Sequence, residues 1–196
     1  MKPRTLCLRV SCLVGGLLIS GTVAQAQVGS GWTSITLSKT TDIDGCGSIS
    51  GSTHKITCSG GDGWQRAEYK LGSSTSGYRQ FQGDVKVVSL SGDKISIKQV
   101  FLAPSSAFLM LAVKHGGYLY DHGNTGAGNF MSGVIGKTVR VNTTFGGGKV
   151  QLYLNGSLKE TRSSSGSFFD KYGAYKTASG TGPATIEWTG IKSWKK

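Results

Sequence analysis

The sequence predicts an all-β fold, an antiparallel two-sheet sandwich or a barrel. Three observations carry this. Segments of strand length with period-two alternation recur between turn residues. No 3.6-residue apolar periodicity follows the N-terminal apolar run. Glycine is abundant, with 31 residues, and proline scarce, with 3, which suits many tight reversals between extended segments.

The first residues are read as a leader. Lys2, Arg4 and Arg9 form a positive region, residues 10–19 are mostly apolar, and Ala24-Gln25-Ala26 is a small-x-small cleavage site. The apolar run is shorter than the roughly 20 residues a spanning helix needs. Residues 1–26 are therefore expected to be a secretory signal peptide, and residues 27–196 a single domain. The expected location is extracellular or periplasmic, with no membrane attachment after cleavage.

In the mature part, strands are expected over residues 65–71, 80–90, 94–102, 107–113, 138–145, 149–154, 158–161, 173–176 and 184–188. Asn155-Gly156 is the strongest hairpin signal, and Ser91-Gly92-Asp93 and Gly146-Gly147-Gly148 are further turns. Residues 115–131 are expected as a long loop. Val150, Leu152 and Leu154 share a face that packs inward between two sheets.

Cys46 and Cys58 remain after the leader, in a chain bound for an oxidising compartment, and are read as one disulfide. No further ligands stand at a spacing that would make a metal site. The formal charge is +12; the leader carries three of those positive charges and no acid, which leaves +9. A basic secreted domain suggests an anionic partner. There is no run of five or six basic residues of the kind a nucleic-acid tail shows, so nucleic acid is not expected.

Three segments hold candidate chemistry. Along 64–71, Ala67, Tyr69 and Leu71 are expected to face the core, with Trp64, Arg66, Glu68 and Lys70 on the opposite face. That face is either a solvated surface or a groove floor. In a groove, Arg66 and Lys70 pair with sugar carboxylates and Glu68 between them holds both side chains. It is the only acid expected on that face. In the second segment Ile95, Ile97, Gln99 and Phe101 share a parity, and Gln99 is either a satisfied structural amide or a donor to a ligand. In the third, Lys171, Gly173 and Tyr175 share a parity. A neighbouring cation favours the phenolate, so Lys171 and Arg66 are expected to activate Tyr175 if they converge on it. The plainer reading is a cross-strand aromatic beside a snorkelling Lys.

Taken together, Arg66-Ala67-Glu68-Tyr69-Lys70, Gln99-Val100-Phe101 and Phe169-Asp170-Lys171-Tyr172-Gly173-Ala174-Tyr175 resemble the R-x-E-L-R, Q-I-H and Y-F-K-A-G-V-Y strands of the family-7 polysaccharide lyases, the alginate lyases. Their order and internal spacing match. The resemblance covers roughly residues 65–194; the segment before Trp64 finds no match. It implies a concanavalin A-like β-jelly roll, two antiparallel sheets with a concave groove. It also implies cleavage of an acidic polyuronate, of alginate or glucuronan type, by β-elimination without a cofactor; a monomer is the default expectation for a secreted sandwich of this size. Arg66 and Gln99 would neutralise the uronate carboxylate, and Tyr175 would donate a proton to the leaving oxygen and serve as base too. Glu68, Lys70 and Lys171 would bind neighbouring sugars.

The chain departs from that pattern at Phe101, which stands where the family has its histidine base, at Lys70 for Arg and at Tyr69 for Leu. Tyr175 can act as both base and acid in a syn elimination. Otherwise one of His54, His115 and His122 reaches the site, or the protein only binds. His54 draws the most interest, because a Cys46–Cys58 bridge would fix it ahead of the Arg66 strand. A non-catalytic binding module for acidic polysaccharide on the same fold is the alternative. Paired carboxylates for hydrolysis are not expected.

Overall fold

A computed structural model describes residues 28–60, 63–104 and 106–196. The expected leader lies outside the described residues. The strands in chain order are β1 Thr33–Ile35, β2 Lys39–Asp44, β3 Gly47–Ser50, β4 Thr53–Ile56, β5 Gln65–Thr75, β6 Arg79–Leu90, β7 Lys94–Leu102 and β8 Ser106–Lys114. They continue with β9 Tyr118–Asp121, β10 Asn129–Met131, β11 Thr138–Gly146, β12 Lys149–Leu154, β13 Ser157–Ser163, β14 Phe168–Lys176 and β15 Ala184–Lys195. No helix among the described residues is long and apolar enough to cross a membrane.

Two antiparallel sheets form a jelly roll. One runs β13-β12-β11-β6-β15-β4-β3, with β1 added on β15; the other runs β10-β9-β8-β7-β14-β5-β2. Their inner faces supply one core. Phe81, Val141, Leu152 and Ile186 meet Ala67, Val100, Leu111 and Tyr172, all buried. Val150, Leu152 and Leu154 are inward, as their alternation requires.

The chain changes sheets between β2 and β3. Gly47 makes this corner possible: a Cβ there would overlap the Arg66 carbonyl. Cys46 donates its N–H to Gln65 Oε1 at 2.7 Å, and its sulfur is bonded to Cys58 beyond β4. The bridge thus closes the open end of the β3–β4 hairpin against the start of β5.

Residues 115–131 are not a long loop. They fold back as β9 and β10 with one 3-10 turn at Thr125–Ala127, and extend the second sheet outward. Arg162 fastens this edge, donating to Asp121 Oδ2 at 3.0 Å and to the Phe108 carbonyl.

The common face expected for Ile95, Ile97, Gln99 and Phe101 does not survive either. Pairing shifts between Ser96 and Lys98 against β8, and between Tyr172 and Tyr175 against β14. This extra residue reverses the side-chain alternation. Ile95 and Ile97 lie in the core, as do Lys98 and Val100, while Gln99 and Phe101 turn to the outer face.

The core holds an ion pair. Lys98 Nζ donates to Asp170 Oδ1 at 2.5 Å and to the Gln99 carbonyl at 2.9 Å, and Thr143 Oγ1 donates to the same carboxylate at 2.9 Å. Lys98 and Asp170 are 0% and 1% exposed, with the ammonium 4.6 Å from the Phe81 ring centre. Burial pushes the Lys98 ammonium below its usual pKa, against the pull of Asp170.

Candidate active site

The outer face of the second sheet gathers the predicted residues from three sequence segments. Strand register does this. Lys171 sits opposite Lys70 on one side and Gln99 on the other; Gly173 sits opposite Glu68, and Tyr175 opposite Arg66. Two adjoining cavities open there. The first, about 250 Å³, is lined by Arg66, Gln99, Phe101, Lys171, Tyr175 and the half-exposed Trp64. The second, about 450 Å³, shares Arg66, Phe101 and Lys171 and adds Asp42, Lys70 and Phe169.

Asp42 and Asp44 belong to this face and were missed by sequence reasoning. Strand β2 pairs with β5, so that Asp42 lies opposite Glu68 and Asp44 opposite Arg66. Glu68 is therefore not the only acid there. Nor does it hold Arg66 and Lys70. Arg66 lies 3.6 Å from Asp44 and 4.0 Å from Asp42, and Lys171 Nζ donates to Asp42 Oδ2 at 2.6 Å. The alternation Thr40-Asp42-Asp44 was the available signal. It was masked because Asp is a poor strand former.

Glu68 instead accepts from Gln99 Nε2 at 2.6 Å, and its other oxygen is buried without a partner. Burial raises its pKa to about 7, opposed by Lys171 and by the Gln99 hydrogen bond. The folded state holds this proton more tightly than the unfolded chain, so stability falls as pH rises from about 4.5 to about 7. The whole effect is about 3 kcal/mol. Glu68→Gln removes it. Its stability relative to the parent, by denaturant unfolding, is expected to improve by ~3 kcal/mol between pH 5 and pH 8. An unchanged difference would place the Glu68 charge elsewhere.

Tyr175 is the group at which the expected electrostatics reverse. Its ring lies 5.5 Å from the Arg66 guanidinium carbon. Burial still outweighs Arg66, and the phenol pKa is raised, with Glu68 and Asp42 adding to the rise. The resting side chain is a protonated phenol rather than an activated phenolate.

Phe101 is built into an apolar platform. It stacks on Phe169 with ring centres 5.2 Å apart and an interplanar angle of 26°. Lys171 Nζ lies 4.8 Å from the Phe101 ring and Lys70 Nζ 4.4 Å from the Phe169 ring. Among the described residues Lys70 has no carboxylate partner. It stands available to an incoming anion. Behind the groove, Lys176 is fully buried and donates to the Gly63 carbonyl at 2.7 Å, which anchors the chain leading to Trp64.

No histidine lines these cavities. His54 is on β4 in the opposite sheet, 1% exposed, with Nδ1 2.7 Å from the Ala67 carbonyl and its ring edge-on to Tyr69. It lies between the sheets, behind the groove floor. His115 is in the β8–β9 turn. His122 follows β9, where Tyr120 Oη and its Nδ1 are 3.3 Å apart. Strand β9 is three strands from β14, roughly 14 Å at the usual strand spacing.

Comparison with solved structures places this architecture. The chain has the fold of the family-7 alginate lyases. The alginate lyase AlgAT5 of polysaccharide lyase family 7 superposes with a TM-score of 0.54 at 20% identity, over 74% of this chain and 76% of that one. The alginate lyase from Corynebacterium sp. gives 0.55 at 17% identity, over 67% and 69%. The marine family-7 alginate lyase AlyA1 from Zobellia galactanivorans gives 0.57 at 15% identity, over 67% and 70%. No protein-family model and no curated protein sequence matches the chain.

Proposed function

We propose that the chain is a secreted polysaccharide lyase that cleaves an acidic polyuronate of alginate or glucuronan type by β-elimination, acting as a monomer. The observation that carries this reading is the convergence of Arg66, Gln99, Lys171 and Tyr175 on one cavity from three strands. Arg66 and Gln99 meet the uronate carboxylate and stabilise the charge that develops on it as the C5 proton leaves. Lys171 and Lys70 hold carboxylates of neighbouring units, and Glu68 orients the Gln99 amide.

Tyr175 carries both proton steps. As the phenolate it takes the C5 proton, the C4–O bond breaks, and the phenol returns a proton to the leaving oxygen. One group serving both steps requires the C5 proton and the C4 oxygen on the same face of the sugar. Mannuronate and glucuronate meet this, and guluronate, the C5 epimer, does not. Phe101→His places an imidazole in the same cavity, and is expected to raise the guluronate-to-mannuronate rate ratio. No change in that ratio would show that position 101 does not reach the reacting carbon.

The raised phenol pKa fixes the pH dependence. The base form is the minor one at neutral pH, so kcat/KM is expected to rise about tenfold per pH unit between pH 7 and 9. A plateau below pH 8 would assign the base to another group. The bond-breaking chemistry is tested in water enriched in heavy oxygen. Elimination leaves the products unlabelled, whereas hydrolysis would place the label in one of them.

A further inference from the structure

A second cavity, of about 430 Å³, opens between the two sheets on the side away from the groove. That volume falls in the usual range of small-molecule sites, about 300–1,000 Å³. Its walls include Tyr69, Tyr172 and Trp188, and its mouth carries Lys39 and Lys192. Tyr172 and Trp188 pack edge-to-face, with ring centres 5.5 Å apart. Neither lysine pairs with a carboxylate among the described residues.

The informative group is His54, which lines this cavity although it is 1% exposed. A carbonyl oxygen only accepts, so the 2.7 Å contact with Ala67 puts the proton on Nδ1. Burial lowers the imidazole pKa, so the ring is neutral. Its Nε2 therefore carries a lone pair, and no partner for it is present among the described residues. That nitrogen is not among the side-chain atoms sealed away without a partner, so it opens to the cavity, where a donor can reach it. The ring is held rigidly: a Cβ at Gly173 would come within 2.8 Å of Nδ1, and Trp188 Nε1 donates to the Gly173 carbonyl at 3.3 Å.

A ligand that suits this cavity brings a hydroxyl to Nε2, an apolar surface to the little of the aromatic lining that is accessible and a negative charge to Lys39 and Lys192. We propose that the inter-sheet cavity binds a single uronate sugar, with a hydroxyl donating to His54 Nε2, the ring against Tyr172 and Trp188, and the carboxylate at Lys39 and Lys192. The site is separate from the groove, and its occupancy does not depend on catalysis there.

The test is titration of the purified protein with glucuronate, followed by NMR of the His54 imidazole and Trp188 indole, with glucose as the neutral control. Glucuronate is expected to shift both signals saturably, and the Tyr175→Phe protein is expected to behave identically. The Lys39→Ala/Lys192→Ala double variant, whose changes lie at the cavity mouth, is expected to bind about tenfold more weakly, as removal of two exposed ion pairs to the ligand should do. His54→Phe keeps a ring and removes the acceptor, and is expected to lose binding. If that variant does not fold, the lysine variant decides. Shifts confined to the neighbours of Gln99 and Tyr175, equal binding of glucose, or unchanged affinity in the lysine variant would overturn the assignment. Lyase activity assayed separately keeps this outcome distinct from that of the groove.

Discussion

Replacing Tyr175 by Phe is expected to lower kcat by about 10³-fold or more while oligouronate affinity in the groove changes only a few-fold. The two effects separate because of where the hydroxyl sits. The phenyl ring keeps its place opposite Arg66 on β5, so the wall of the cavity is preserved. Arg66, Gln99 and Lys171, the proposed carboxylate-binding groups, come from other positions and keep their own partners in Asp42, Asp44 and Glu68. What is lost is the only side-chain hydroxyl among the described residues lining that cavity, the one proposed to exchange protons with C5 and the leaving oxygen. Steady-state kinetics paired with equilibrium binding checks this. Retained turnover would remove Tyr175 from the mechanism. A pure binding module predicts instead that the substitution does little to either quantity.

The second large effect concerns stability. Asp170→Ala is expected to destabilise the fold by about 3–5 kcal/mol, because it leaves the Lys98 ammonium buried without its counter-charge. Thr143 and the Gln99 carbonyl cannot replace a carboxylate. The double change Lys98→Met/Asp170→Leu removes both charges and is expected to recover most of the loss. Denaturant midpoints of the single and double variants decide it. A single variant as stable as the parent would mean that Lys98 escapes to solvent when freed.

The fold was legible because period-two alternation is strong in the chain's second half. β7 and β12 begin and end where the pattern places them, and Asn155-Gly156 turns β12 into β13. The short strands β1 to β4 were not legible. They are three to six residues long and half exposed, rich in Ser, Thr, Asp and Gly, and owe their conformation to pairing with β5 and β15 rather than to local propensity. That omission hid Asp42 and Asp44, and with them the partners of Arg66 and Lys171. Bulges are equally silent in sequence. The one in β7 is why Gln99 faces the groove while Ile97 is in the core. Lys98 and Asp170 were invisible as a pair, since charges 72 residues apart in sequence carry no sign of meeting in a core.

Arg66, Glu68, Lys70, Lys171 and Tyr175 were readable as sharing a face, because alternation along β5 and β14 places them there, whereas in β7 the bulge overrides it. Their protonation was not. Arg66 suggested an activated phenolate, but desolvation dominates once Tyr175 is buried, and no sequence pattern measures burial. The disulfide is the opposite case. Cys46 and Cys58 are the two cysteines left after the expected leader, paired on count and compartment alone, and they are bonded.

The activity proposed for the groove is β-elimination on a polyuronate. It is tested most directly by following the near-ultraviolet absorbance of unsaturated uronate ends with polymannuronate, polyguluronate, glucuronan, hyaluronan and heparin-type chains, each with and without chelator. Chelator-resistant growth of absorbance is expected on polymannuronate or glucuronan, faster than on polyguluronate, and none with Tyr175→Phe. No absorbance on any polymer, with acidic chains still retained by the protein in an affinity gel, would contradict it and leave a binding module whose groove lost its base at Phe101.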